Sequence, residues 1–168
     1  MKLVVAAALA LLAPLPALAQ TTPTPKLPPA NPLPYEDPDA AAVMRPINGI
    51  FAAIARRDGQ AALPFVRAEG RATATGNKPD GTPVINSRSW TEFAAGLTAG
   101  PERFEERMST PAIEVDGDIA MVWGDYVFLI DGKPSHCGVN HFDLVREAGT
   151  WKVLSVTWSR RTTGCPGQ

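Results

Sequence analysis

The chain has 168 residues with 16 basic and 17 acidic side chains, which gives a formal net charge of −1. Charges of both signs are spread along the sequence, and no basic stripe of the kind that nucleic-acid binding requires is present. This balance argues against nucleic acid and anionic membrane surfaces as partners.

Residues 1–19 have the pattern of a cleaved signal peptide. Lys2 precedes the apolar run Leu3–Leu12, and an Ala-Leu-Ala sequence ending at Ala19 fits the small-x-small cleavage rule. The run is shorter than the roughly 20 apolar residues of a membrane span, and prolines follow it. We therefore expect a periplasmic or secreted protein that starts at Gln20 and is not inserted in the membrane after cleavage.

The next segment, residues 20–38, is rich in proline and is predicted to be a linker. Proline removes backbone donors and favours extended polyproline conformations, so the composition specifies stiffness. The segment is either a spacer that holds the domain away from a surface or a tail without a role of its own. The remaining residues, 39–168, have the length of one domain.

Helical patterns begin at Asp37, which is suited to be an N-cap, with Pro38 at the first helical position. Apolar residues then recur at intervals of three and four, at Val43, Ile47, Ile50, Phe51 and Ile54. Pro46 is expected either to kink this helix or to mark the start of its main part. A second helix is predicted after Ser89, which forms a capping box with Glu92.

Between the two helices, residues 70–75 are predicted to form a strand and residues 77–83 a loop. Beyond Pro101 the alternation of side chains predicts antiparallel strands at 103–109, 112–115, 119–130, 135–146 and 151–161. Three glycine-containing turns separate strands, at Asp116-Gly117, Asp131-Gly132 and Ala148-Gly149. The order predicts an α+β fold in which a curved antiparallel sheet forms a cone, with the N-terminal helices packed on its concave face.

This order of elements resembles the nuclear transport factor 2-like superfamily. The last hairpin, His141-Phe142-Asp143-Leu144-Val145-Arg146 followed by Trp151-Lys152-Val153-Leu154, is similar to that of its ketosteroid isomerase-like and polyketide cyclase-like (SnoaL-like) branches. The segments 135–139 and 160–165 are similar to exported bacterial members of uncharacterised function. The resemblance covers residues 39–165 and implies a cone with an apolar pocket, in which an Asp, His or Tyr can act, and dimerisation through the outer sheet face.

Cys137 and Cys165 are the two cysteines of the mature chain, in a compartment where disulfides persist. We expect them to form a disulfide that fastens the last hairpin. No Cys-x-x-Cys motif favours a redox role. We expect no metal site, because His136 and His141 have an odd separation and so point to opposite faces of a strand. We expect no cofactor, since nucleotide cofactors are scarce outside the cytoplasm.

His141 and Asp125 are the candidate catalytic residues. Asp125 lies in an apolar row of its strand, where a carboxylate either faces solvent or is held for a purpose. With a two-residue turn after Glu147, His141 is expected to share an inward face with Leu154, Val156 and Trp158. A hydrogen-bonded core histidine and a carboxylate on the convex face remain the structural alternatives.

Aromatic and basic residues are predicted to line the pocket, where they would bind a flat ligand or simply fill space. They are Trp123, Tyr126, Trp158, Phe51, Trp90 and, at the cavity mouth, Arg160. Two functions fit this sequence. One is an exported binding or accessory domain for a small apolar or aromatic ligand. The other is a cofactor-free lyase, isomerase or hydrolase that uses His141 and Asp125 as an acid–base pair.

Overall fold

The structure is a computed structural model that describes residues 38–78 and 80–168. The predicted signal peptide and residues 20–37 of the predicted linker lie outside these residues. Two α-helices and one 3-10 helix are found within them, at Pro38–Arg56 (α1), Gly59–Phe65 and Trp90–Gly96 (α2). The strands in chain order are Arg71–Asn77 (β1), Pro83–Ser89 (β2), Phe104–Asp116 (β3), Ile119–Ile130 (β4), Lys133–Glu147 (β5) and Thr150–Arg160 (β6).

Both helices form where the sequence predicts them. The helix α1 begins at Pro38 and continues through Pro46, with Asp39 in its first turn and Arg56 in its last. These charges complement the helix dipole. The helix α2 begins with the predicted capping box: the Ser89 side chain accepts from the Glu92 amide and the Glu92 carboxylate accepts from the Ser89 amide. These contacts satisfy amides that the first helical turn leaves without partners.

The six strands form one sheet in the order β2-β1-β6-β5-β4-β3. The predicted α+β fold is confirmed, with the helices packed against one face of this sheet. The sheet is mixed, because β1 pairs in parallel with β6 while the other neighbouring strands are antiparallel. Strand β2 was not predicted, since it lies between the predicted loop at 77–83 and the helix predicted after Ser89. It is exposed at nearly every position and therefore carries little of the alternation that marks a buried strand.

Each predicted hairpin turn contains its glycine, but the first consists of Gly117 and Asp118 instead of Asp116 and Gly117, because Asp116 pairs with Ile119. Asp131 and Gly132 have φ angles of 51° and 79°, and Ala148 and Gly149 have φ angles of 47° and 77°. Positive φ at both central residues gives the turn a twist that matches the flanking strands. The turn after Glu147 therefore has two residues, as predicted, and sets the starting register of β5 against β6.

That register changes within the hairpin. Asp143 lies opposite Ser155 and Leu144 lies opposite Val153, so Leu154 is an extra residue that forms a β-bulge in β6. Trp90 holds this bulge, because its indole Nε1 donates to the Leu154 carbonyl oxygen at 3.0 Å. Without the bulge, the two-residue turn would fix which face of the sheet each β6 side chain occupies. The extra residue reverses this, so every side chain of β6 beyond the bulge lies on the opposite face.

The hydrophobic core lies between α1 and the inner face of the sheet. Its fully buried members include Val43 and Ile47 of α1, Val122 of β4 and Val153 of β6. Burial of each aliphatic side chain of this kind contributes about 1.5–3 kcal/mol. These residues hold one part of the sheet against α1. The candidate site lies beside this contact, between the helices and the rest of the inner face.

The predicted disulfide is confirmed between Cys137 and Cys165, whose Cα atoms are 5.6 Å apart. Cys137 also exchanges two backbone hydrogen bonds with Arg161, each of 2.9 Å. The turn alone would place Arg160 opposite Cys137, and the bulge at Leu154 moves the partner by one residue. The disulfide closes the C-terminal tail onto β5. No helix within the described residues is long and apolar enough to cross a membrane.

Candidate ligand cavity

A cavity of about 130 Å³ lies between the helices and the inner face of the sheet. Three groups of residues line it, from the helices (Ile50, Phe51, Ile54, Trp90, Phe93, Leu97), from β3 and β4 (Glu106, Tyr126, Phe128), and from β5 and β6 (His136, Asn140, Phe142, Val156, Trp158). An apolar protein cavity of about 150 Å³ is large enough to take up benzene. The space therefore suits a molecule with a single small ring.

Strand alternation and register place the polar side chains in this cavity. Phe128 lies opposite Glu106 on β3 and opposite His136 on β5, so these three residues form one row across the sheet. Asn140 lies four residues beyond His136 and therefore on the same face of β5, opposite Trp158. The register thus brings an acid, an imidazole and an amide to a wall that is otherwise mostly aromatic.

Glu106 and Asn140 form a hydrogen-bonded pair in the cavity wall. The Asn140 amide Nδ2 donates to Glu106 Oε1 at 2.7 Å, and the Asn140 residue is only 2% exposed. Burial raises the pKa of the Glu106 carboxyl to about 7, although the Asn140 hydrogen bond acts in the opposite direction. Glu106 is therefore near its midpoint at neutral pH and can gain or lose a proton there.

His136 lies beside this pair as a neutral ring. Its imidazole stacks on Phe128, with ring centroids 4.8 Å apart and planes inclined by 19°. Burial and the nearby positive charge of Arg160 lower the pKa of His136 to about 4. Its Nδ1 is 3.4 Å from the Ser135 hydroxyl oxygen. At neutral pH, His136 therefore brings hydrogen-bonding capacity to the cavity without charge.

Tyr126 completes the polar part of the lining. Its hydroxyl donates to the Ser159 carbonyl oxygen at 3.0 Å. Burial and the charge of Glu106 raise the pKa of the Tyr126 phenol, while Arg160 and Arg161 lower it by less. Tyr126 consequently stays protonated, and Glu106 is the lining residue whose charge changes near neutral pH.

Four of the six residues predicted to line the pocket are found there: Phe51, Trp90, Tyr126 and Trp158. Trp123 is not, because it is three residues from Tyr126 and alternation puts the two side chains on opposite faces of β4. Its exposed fraction is 41%, on the outer face. Arg160 is also absent from the lining, although its charge acts on His136 and Tyr126.

The predicted acid–base pair, His141 and Asp125, lies outside the cavity. His141 is opposite Trp123, and Asp125 is opposite Val139, on the outer face of the sheet. The expectation that His141 shares a face with Val156 and Trp158 was wrong, because the bulge at Leu154 places His141 opposite Thr157 instead. His141 Nε2 is 3.5 Å from Asp143 Oδ1.

Glu106, Asn140 and His136 were not predicted from the sequence as residues of one site. Glu106 lies in the charged run Glu105-Glu106-Arg107, which is typical of a solvated strand. A signal was nevertheless present, because Phe104 and Met108 flank Glu106 at the two-residue spacing that puts all three on one face. A carboxylate between two apolar residues of the same face indicates burial.

Comparison with known proteins finds similarity in structure alone. No family model matches the sequence, and no curated protein matches it either. An NTF-2 like protein of unknown function from Silicibacter pomeroyi aligns with a TM-score of 0.54 and 18% identity, over 73% of this chain and 96% of that one. A Nostoc punctiforme protein of unknown function with a cystatin-like fold aligns with a TM-score of 0.58 and 13% identity, over 76% and 94% of the two chains.

A further solved structure is the beta subunit of a putative aromatic-ring-hydroxylating dioxygenase from Novosphingobium aromaticivorans. It aligns with a TM-score of 0.60 and 13% identity, over 73% of this chain and 88% of that one. These likenesses establish the fold. The resemblance to the nuclear transport factor 2-like superfamily is thus confirmed at the level of the fold.

Proposed function

We propose that this protein, which has the NTF2-like fold, is an exported binding domain for a small aromatic or apolar molecule. The observation that carries the proposal is the cavity of about 130 Å³, in which mostly apolar walls surround one hydrogen-bonded pair, Glu106 and Asn140. Apolar walls with a few convergent polar groups are typical of small-molecule sites, in which the polar groups fix the orientation of the ligand.

Two features support export. The N-terminal pattern fits a signal peptide, and the disulfide between Cys137 and Cys165 fits an oxidising compartment. Peptide mass spectrometry of the protein recovered from its source organism should find an N-terminal peptide that starts at Gln20, with the glutamine free or cyclised to pyroglutamate. A chain that begins at Met1 and is recovered from the cytoplasm would contradict export while leaving the ligand site untouched.

Native mass spectrometry of the protein purified from its source tests ligand binding directly. We expect a retained small molecule on the wild type and its loss from Val156→Phe, because Val156 lines the cavity and a ring there would fill it. Thr157→Phe is the matched control, since it adds the same ring one residue away on the exposed outer face. A wild type without bound mass, or equal retention by both variants, would contradict the proposal.

A second function, cofactor-free acid–base catalysis, is favoured by one specific observation. Glu106 ionises near neutral pH in the same cavity as the neutral imidazole of His136. A carboxyl with this pKa suits a general base or acid at neutral pH. This pair replaces the predicted pair of His141 and Asp125.

The same purification distinguishes catalysis from binding. If Glu106 performs chemistry, Glu106→Gln should retain an unreacted molecule that differs from the one held by the wild type in mass, or, for an isomerisation, in chromatographic retention. If the cavity only binds, both proteins should retain the same molecule. Retained molecules identical in both mass and chromatographic retention would therefore contradict catalysis through Glu106.

A further inference from the structure

We infer that the occupant of the cavity is a small organic cation, a protonated amine attached to a single apolar or aromatic ring, whose ammonium group meets the Glu106 carboxylate. This inference rests on the proposed function, because it names the chemical class of ligand for the same cavity. The charge of the cavity, the chemistry of its walls and its size all favour such a ligand.

The charge of Glu106 has no counter-ion among the described residues. Its contact there is the neutral amide of Asn140, whereas the neighbouring Glu105 forms an exposed ion pair with Arg107 at 2.5 Å. A buried carboxylate without a cation is costly, and an ammonium group at hydrogen-bond distance would remove most of that cost. A cationic ligand would therefore supply the counter-ion that the Glu106 carboxylate lacks among the described residues.

The other groups that face Glu106 do not supply this charge. Tyr126 on β4 is a neutral phenol and His136 on β5 is a neutral imidazole, as the directions of their pKa shifts require. The lining residues from the two helices and from Leu97, the C-cap of α2, carry no charge. Arg160 and Arg161 act on Tyr126, and Arg160 also acts on His136, but burial and Asn140 alone set the ionisation of Glu106.

The aromatic walls suit the same ligand. Phe128 stands between Glu106 and His136 in the strand register, and Tyr126 and Trp158 line the cavity with it. The faces of aromatic rings attract an ammonium group, and more strongly when water is excluded. A free anion would meet the carboxylate as a like charge. The volume of about 130 Å³ suits a cation with one small ring and a short substituent.

Benzylamine and benzyl alcohol are matched probes, since they share a ring and differ in the charged group. Isothermal titration calorimetry at about pH 5.5 and about pH 8.0 should show benzylamine binding about thirtyfold more tightly at the higher pH. The reason is that only the ionised fraction of Glu106 is competent for the cation, with a pKa of about 7. Benzyl alcohol should not gain affinity with pH.

Variants separate the role of Glu106 from a general effect of charge. Glu106→Gln keeps an acceptor for Asn140 and should abolish both the preference for benzylamine and its dependence on pH. Glu105→Gln is the matched control, because it removes the adjacent charge, which is exposed and paired with Arg107, and it should behave as the wild type.

The outcomes distinguish this inference from the proposed function. If benzyl alcohol binds but benzylamine does not bind more tightly at the higher pH, the inference of a cationic ligand is overturned, and the proposal of a ligand cavity stands. Binding of neither probe to the wild type overturns both. The pH dependence of benzylamine binding to the wild type tests the inference without any variant. The inference therefore stays testable even if the Glu106→Gln protein fails to fold.

Discussion

Replacement of Glu106 by glutamine should reveal two opposing contributions to the pH dependence of stability. In the folded protein, burial raises the pKa of Glu106 from 4.5 to about 7. The folded state then binds more protons than the unfolded state between these values, so the free energy of unfolding falls as pH rises through them. The shift corresponds to about 3 kcal/mol, present below pH 4.5 and lost above pH 7.

His136 contributes with the opposite sign. Burial and the charge of Arg160 lower its pKa from 6.5 to about 4, so the unfolded state binds more protons between these values. The free energy of unfolding therefore rises with pH across this window, and the contribution is complete above pH 6.5. Because the ring is only partly shielded from solvent, we reduce its contribution to about 2 kcal/mol.

Chemical denaturation monitored by circular dichroism between about pH 4 and pH 8 would separate the two contributions. In the wild type they largely cancel. Glu106→Gln keeps only the His136 contribution and should become more stable by about 2 kcal/mol across this range. His136→Phe, which keeps a flat ring against Phe128, keeps only the Glu106 contribution and should become less stable by about 3 kcal/mol over the same range. Profiles of Glu106→Gln and wild type that run parallel would refute the burial of the Glu106 carboxyl.

Three further predictions concern the disulfide, the bulge and the outer face. Reduction of Cys137–Cys165, which closes a loop of 28 residues, should lower the free energy of unfolding by about 3–4 kcal/mol in denaturant titrations; a loss below about 1 kcal/mol would contradict this role. Trp90→Phe removes the hydrogen bond to the bulge carbonyl of β6 and should cost about 2 kcal/mol in the same assay, so an unchanged midpoint would argue against it. His141→Ala and Asp125→Ala should leave the calorimetric affinity for benzyl alcohol unchanged, since both residues lie on the outer face; a loss of binding in either variant would contradict this placement.

Much of the strand pattern follows from local sequence. The predicted strand 119–130 coincides with β4, and two of the three glycine turns are found where predicted, because turn chemistry and alternation are properties of neighbouring residues. The first turn lies one residue later than predicted. The parallel pairing of β1 with β6 joins residues more than 80 positions apart, such as Ala72 and Val156. No local pattern specifies that pairing, so the sheet was predicted as purely antiparallel.

The site was harder to predict because it depends on a single extra residue. The two-residue turn after Glu147 was correct, but the bulge at Leu154 reverses the faces of β6 that follow it. The carbonyl of the bulge residue bonds with Trp90, which lies 64 residues away, so this contact could not be predicted from the hairpin alone. The same reversal separates His141 from Trp158, which had been expected on one face.

The indole signals of the four tryptophans test the location of the ligand site most directly. In a ¹H–¹⁵N spectrum titrated with benzyl alcohol, the indole signals of Trp90 and Trp158 should shift because these residues line the cavity. The signals of Trp123, on the outer face, and of Trp151, in the hydrophobic core away from the cavity lining, should not shift. Shifts at Trp123 with Trp90 and Trp158 unmoved would place binding on the outer face and contradict the cavity as the site.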